Sequence, residues 1–407
     1  MFVVVRNSWA LLLGMFLLML GNGVQGTLLG IRGALEGFTP GAMSLIMSAY
    51  FVGFLFGSQM TPNMIRRVGH VRVFAALASL VSAALILYAA IPYEPAWFAL
   101  RVVVGFCFSG IYVTAESWLN DSATNETRGQ TLSAYLIVQM LGIVMAQYIL
   151  TLADAKEYIL FVVISVAVSI SFFPILLSVS PVPRFATTKR MSFRRLFETS
   201  PLGVVGILLL GGIFSALFGM TAVYGTEKGL SVGQISAFVA SIYLGGMILQ
   251  YPIGWLSDRM DRRGLITAVC LIGTAASLLA FQSADVTWVL LASAFVIGGV
   301  ANPLYSLLLA YTNDFLDHED MAAASGGLVF INGLGAIAGP LAVGTLMEVS
   351  GPDSFFLFVG LLLGLTAVYA IYRTYKRAVT VSVDDTGSYA PVFATGSPVA
   401  VEVAQEY

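Results

Sequence analysis

The chain has 407 residues, of which 58% are hydrophobic and only 10% charged, with a mean hydropathy of +0.88. Soluble domains carry about 25% charged residues, so a fold solvated mainly by water is excluded. The formal net charge of −2 points to no partner. The basic residues sit in short segments between apolar runs with no stacking platform beside them, and nucleic-acid binding has no support.

A bilayer-spanning helix needs roughly 20 apolar residues. In chain order the apolar runs predict twelve such helices, near 8–31, 41–63, 71–91, 95–119, 129–152, 157–179, 202–224, 232–256, 265–283, 286–311, 321–347 and 354–375. The first run follows Arg6 in the manner of a signal peptide. It is too long for one, and eleven more follow, so an uncleaved first helix is expected. Cys107 and Cys270 fall inside predicted helices and read as small packing residues, not a disulfide.

Lys and Arg set the orientation. With both termini cytosolic, the inner segments hold Arg6, Arg66, Arg67, Arg72, Arg128, Arg184, Lys189, Arg190, Arg194, Arg195, Arg259, Arg262, Arg263, Arg373, Lys376 and Arg377. That is sixteen of the 20 basic residues, as the positive-inside rule requires. Arg32, Lys156 and Lys228 remain outside and Arg101 lies within a helix. The basic run at 184–195 suits the anionic inner leaflet of a lipid bilayer.

The chain repeats itself at a spacing of 192–193 residues. PNMIRRVGHVR at 62–72 parallels GWLSDRMDRRG at 254–264, and GFTPGAMS at 37–44 parallels GLSVGQIS at 229–236. Tyr112 pairs with Tyr305, Gln139 with Asn332, and Gly142 with Gly335. Order is kept along the whole half, so each half holds six helices, and the halves are parallel repeats about an axis normal to the membrane. The expected organisation is an N-terminal bundle at 1–179, a cytosolic linker at 180–200, a C-terminal bundle at 201–376 and a disordered cytosolic tail at 377–407.

At these residues the chain resembles the major facilitator superfamily of secondary transporters, whose loop between helices 2 and 3 reads approximately G-x-x-x-D-R-x-G-R-x-R, with a weaker copy between helices 8 and 9. The second copy here is the closer match, with Gly254, Asp258, Arg259 and Arg262 in register and Asp261 in place of the second Gly. The first keeps Arg67, Gly69 and Arg72, but Pro62 replaces the first Gly and Arg66 stands where the Asp belongs. Arg101 and Gly105 are similar to the family's R-x-x-x-G pattern, and AESWLND with RGQTLSAY across 115–135 is similar to the bacterial YcaD-type branch. The resemblance implies an all-α membrane protein, twelve helices in two pseudo-symmetric six-helix bundles, rocking about a central site. It further implies a multi-pass protein of a bacterial inner membrane with cytoplasmic termini, acting as a monomer.

Arg101 is the one basic residue well inside a predicted helix, where a charge is expensive and faces a partner or a wet cavity. At 100° per residue it shares a face with Gly105, Phe108 and Tyr112, with Glu116 about 60° away. Arg101 either binds an anionic solute or caps carbonyls of a neighbouring helix. Glu116 is either a proton-coupling acid or an interfacial one. Ser236, Tyr243 and Gln250 recur every seven residues on the eighth predicted helix, Gln25 and Arg32 share that spacing on the first with Asn22 nearby, and Gln139 and Asn332 occupy equivalent places. Asn22, Gln25, Arg101, Tyr112, Gln139, Tyr243, Gln250, Tyr305 and Asn332 are the candidate substrate-binding residues, although lone amides also hold membrane helices together.

If the family geometry holds, Arg66 lies near the start of the eleventh helix, opposite Asp314, Asp317, Glu319 and Asp320, while Asp258 lies near Arg128. These pairs would close the inner side when the outer side is open. A Gly-Pro run around Pro340 resembles one that drug antiporters carry in helix 5, but it falls in the eleventh helix, with Gln147 at the equivalent place in the fifth. No G-x-x-x-x-G-K-S/T phosphate loop is present, which excludes ATP-driven pumping. His70 and His318 lie in separate loops without metal-ligand spacing, so neither metal nor cofactor is expected, nor enzymatic activity. The expected function is proton-coupled secondary transport of a small organic solute. The alternatives are an efflux antiporter for drugs or metabolites and a non-transporting sensor or scaffold.

Overall fold

The computed structural model describes residues 2–122, 128–177, 191–376 and Tyr389. Among the described residues, twelve helices are long and apolar enough to cross a bilayer: α1 Ser8–Leu35, α2 Pro40–Val68, α3 His70–Ala90, α4 Glu94–Leu119, α5 Gln130–Leu150, α6 Ile159–Leu177, α7 Pro201–Glu227, α8 Val232–Ser257, α9 Arg262–Ser283, α10 Thr287–Asn313, α11 Ala323–Ser350 and α12 Ser354–Lys376. In hydrocarbon every backbone polar group must be satisfied internally, and the helix does this within one segment. The chain is thus a multi-pass membrane protein, with large apolar side chains such as Leu45, Phe56 and Leu279 on its outer surface.

Helix starts follow local chemistry. The Thr39 hydroxyl accepts from the Ala42 N–H ahead of Pro40, and 192 residues later Ser231 forms a reciprocal capping box with Gln234. Each cap follows a left-handed glycine, Gly37 at φ 82° and Gly229 at φ 73°. Short as they are, these turns carry the repeat into the backbone.

The duplication is clearest where helices cross. A Cβ on Gly53 would lie 1.9 Å from the Val102 carbonyl oxygen and one on Gly105 1.9 Å from that of Tyr50, which locks α2 on α4. In the other half Gly245 meets the Phe295 oxygen at 1.9 Å and Gly298 that of Ile242 at 2.1 Å, locking α8 on α10. Likewise Gly142 packs on Phe16 of α1, and Gly335 on Leu208 of α7. Only glycine permits backbones this close. α3 with α6, and α9 with α12, complete the two six-helix bundles.

Two local departures matter. α7 contains a π-helical turn at Ala216–Met220, and α6 breaks at Phe172 before Phe173–Leu177. The stretch expected as a linker includes a short helix, Phe193–Thr199, capped by Ser192. Its residues 180–190, and the expected tail apart from Tyr389, lie outside the described residues.

Candidate functional site: a cavity between the halves

The halves meet through α1 with α7, α2 with α11, and α5 with α8. The end away from the Arg-rich loops is sealed. There the Gly41 N–H donates to Glu348 Oε1 at 2.7 Å, Gly344 packs on Ser44, and Gly30 packs on Ala222. Further in, the Ser48 hydroxyl donates to the Ile337 carbonyl at 2.6 Å. Loops at the same end are pinned within each half. Arg32 pairs with Glu36 at 2.6 Å, and Lys228 with Asp353 at 2.7 Å and Asp285 at 2.9 Å. Burial alone would lower the Lys228 ammonium, but the two carboxylates outweigh it and raise its pKa.

Beyond this seal the halves enclose a cavity of about 130 Å³. Of the expected substrate-binding residues, Asn22, Arg101, Tyr112, Gln139, Tyr243 and Asn332 line it. The wall also holds Tyr50, Phe51, Gln147, Phe214, Phe218 and Asn302, none of which the polar pattern had singled out as solute-binding. The π-helical turn supplies Leu217, Phe218 and Gly219 to the wall, and Phe218 packs 4.9 Å from the Tyr243 ring. Such turns recur at functional sites.

Arg101 shows how the local sequence builds the wall. It lies one turn before Gly105, whose backbone contact with Tyr50 brings α4 hard against α2. That approach lays the guanidinium over the Tyr50 ring at 5.0 Å and lets Nη2 donate to the Met47 sulfur at 2.8 Å. The side chain is only 5% exposed, and its Nε has no hydrogen-bond partner. Helix-capping, one of the two expected roles for Arg101, is not its role in this conformation.

Three expected residues are elsewhere. Gln25 is fully buried off the cavity wall, and neither amide atom has a hydrogen-bond partner. It follows Asn22 by three residues, which turns it about 60° off that face. Tyr305 is buried with an unpartnered hydroxyl and does not line the cavity. Gln250 sits nearer the Arg-rich end, where its Nε2 donates to the Tyr389 hydroxyl at 2.7 Å. The Tyr389 N–H donates to Asp258 Oδ1 at 2.7 Å, and its ring lies where a Cβ on Gly254 would be, 2.6 Å away. Burial raises the pKa of this phenol, opposed by its hydrogen bonds to Ser306 and Gln250.

The amides divide into two groups. Gln147 bonds the Thr27 hydroxyl at 3.0 Å and the Gly23 carbonyl, and Asn332 the Ile207 carbonyl, so these two hold helices together, while Asn302 bonds the Gly298 carbonyl within α10. Asn22 and Gln139 face the cavity with no such bond among the described residues. Glu116 is buried away from the cavity and accepts from the Tyr135 hydroxyl at 3.2 Å, tying α4 to α5.

Among the described residues, Arg66 makes no pair with the acidic cluster before the eleventh helix. Arg66 bonds Asn63 of its own helix, and Arg195 takes Asp320 at 2.6 Å. Asp314 holds the buried Arg262, while Asp258 receives Tyr389 and lies 3.9 Å from Arg262. Asp317 is exposed and precedes the helix that begins at His318. The Arg128 side chain lies outside the described residues. Cys107 and Cys270 are free and buried, as expected.

A family model described as Major Facilitator Superfamily matches residues 11–248 and 226–394. Among curated relatives, the "Uncharacterized MFS-type transporter YcaD" of Escherichia fergusonii is 26% identical over 366 residues, covering 88% of this chain and 94% of that protein. YcaD of Salmonella paratyphi A is 23% identical over 364 residues, covering 88% and 94%. Among solved structures, a bacterial homolog of the human lysosomal transporter Spinster, inward-facing and occupied, superposes with a TM-score of 0.75 at 14% identity, covering 94% of this chain and 98% of that one. The nucleoside transporter NupG gives 0.70 at 16% identity, covering 91% and 99%. At these identities the structural likeness establishes the fold alone.

Proposed function

The chain belongs to the Major Facilitator Superfamily, a family of transport proteins and not of enzymes, and from that premise we propose that it moves a small organic solute across the membrane by alternating access. One observation carries the reading. The cavity sits between two internally locked bundles and is sealed at one end by contacts that run between the bundles. Opening that seal while closing the other end needs no change within either bundle. The charge asymmetry supports a sealed outer end, an inward-facing conformation and cytoplasmic termini. Arg66 and Asp258 act as inner-gate residues, released from their present partners when that end closes, and Glu116 carries the coupled proton.

Spin labels test this directly. Tyr93 and Val349 are exposed near the sealed end, and Arg67 and Met260 are exposed near the other. Cysteines at each pair, measured in liposomes, should give two distance populations that change in opposite senses, whereas buried Cys107 and Cys270 stay unlabelled. A single population at both ends, with no solute flux, would establish the sensor or scaffold instead. Accumulation driven only by an outward proton gradient, solute entering as protons leave, would mark an efflux antiporter.

A further inference from the structure

The cavity wall carries one charge. Its lining residues include Arg101 but no Asp, Glu or Lys. A guanidinium offers five donors, yet this one meets a thioether and an aromatic face, has an unpartnered Nε, and forms no ion pair among the described residues. A lone buried charge inside a membrane is costly and is kept where something completes it. Nothing among the described residues completes this one.

The rest of the wall limits what can. Tyr50, Phe51, Phe214, Phe218 and Tyr243 present flat apolar surface, with Phe214 and Phe218 stacked at 5.3 Å. Asn22 and Gln139 supply uncommitted amides, and the volume of about 130 Å³ restricts the ligand to a small molecule. We propose, on the basis of the transporter reading above, that the cavity binds a small organic monoanion, a carboxylate on a flat apolar body. The carboxylate pairs with Arg101, whose planar fork matches it, and the body lies against the aromatic wall. One positive charge selects a monoanion, since a cation meets repulsion and a dianion leaves a negative charge uncompensated.

The test uses three ligands of one shape and different charge: benzoate, benzamide and benzylammonium. Each is titrated by calorimetry into the full-length protein in nanodiscs, with the thermal midpoint as a second readout. Benzoate should bind and raise the midpoint, while the neutral and cationic analogues should not. Arg101→Gln should weaken benzoate by about 30-fold or more, as losing one partner of a buried charge pair implies. Should that variant not fold, Arg101→Lys replaces it; it keeps the charge, loses the fork and should bind benzoate more weakly than the native protein. No benzoate binding, equal binding of benzamide or benzylammonium, or undiminished affinity in the Arg101 variant overturns the proposal. The spin-label distances need no solute, so alternating ends without anion selectivity would reject the anion and keep the transporter.

Discussion

The two halves share a skeleton but not a chemistry. Gly53 and Gly245, Gly105 and Gly298, and Gly142 and Gly335 make the same backbone crossings 192–193 residues apart. Arg101, by contrast, corresponds to Ala294, Glu116 to Leu309, and Tyr50 to Ile242. The Arg-rich loops diverge in the same way. His70 ties α3 to Ser117 of α4 through a 3.0 Å hydrogen bond, whereas Arg262 at the equivalent place ties α9 to α10 through the Ala310 carbonyl and an ion pair with Asp314. Both halves keep the backbone crossings, and Arg101 and Glu116 stand in one half alone.

That contrast can be broken most severely at the buried ion pair. Asp314→Asn should destabilise the C-terminal bundle by about 3–5 kcal/mol, the cost of stripping one partner from a buried pair. His70→Gln should cost only about 1 kcal/mol, the value of one typical hydrogen bond. Thermal midpoints in a single detergent compare them, and equal losses would erase the distinction between the loops. The glycine crossings predict the reverse pattern, equality. Gly105→Ala and Gly298→Ala should each cost about 3 kcal/mol through overpacking against a carbonyl, seen as matched losses of monodisperse protein in size-exclusion chromatography. A large difference would show that one crossing bends where the other does not.

Smaller effects sharpen the picture. Lys228→Met should cost about 1 kcal/mol, as expected for a partly exposed pair. Because its carboxylate partners raise the Lys228 pKa, the stabilisation is complete below the unfolded value near ~10.4 and is lost as pH climbs through the folded one. Native protein should therefore lose thermal stability above that range more steeply than the variant. The smallest effect belongs to Arg66→Asp, which makes the first loop resemble the second. Exposed pairs contribute about 0–1 kcal/mol, so it should shift the two spin-label populations by less than fivefold. Reversing Asp320 to Arg alongside it should undo the shift.

Much of this was legible in the amino-acid sequence. Apolar length gave the helices to within a few residues, because the bilayer imposes both length and helicity. The repeat showed in loops and glycines, where few residue types suffice. The cavity was legible only in its polar members. Asn22, Arg101, Gln139 and Asn332 stood out against an apolar background, whereas Tyr50, Phe51 and Phe218 did not, since aromatic residues serve lipid and cavity faces alike. Gln25 and Gln250 were assigned to the pathway by heptad spacing, which groups residues on one face without saying where that face points. No sequence signal announced the π-helical turn that brings Phe218 inward. Tyr389 was likewise invisible, for a tyrosine in a tail without helical periodicity has no pattern to read.

Arg101 has an electrical consequence as well. Under the alternating-access proposal the barrier moves around Arg101, so this charge within the span of α4 needs no displacement to feel the transmembrane potential. With the outer end sealed it is continuous with one solution, and with the inner end sealed with the other. Transferring one elementary charge across the whole field is worth about 2.3 kcal/mol per 100 mV. A carboxylate bound to the guanidinium cancels that coupling. In a carrier of this design the voltage therefore acts on the empty return and leaves the loaded crossing alone, so membrane potential sets how quickly the site is offered again.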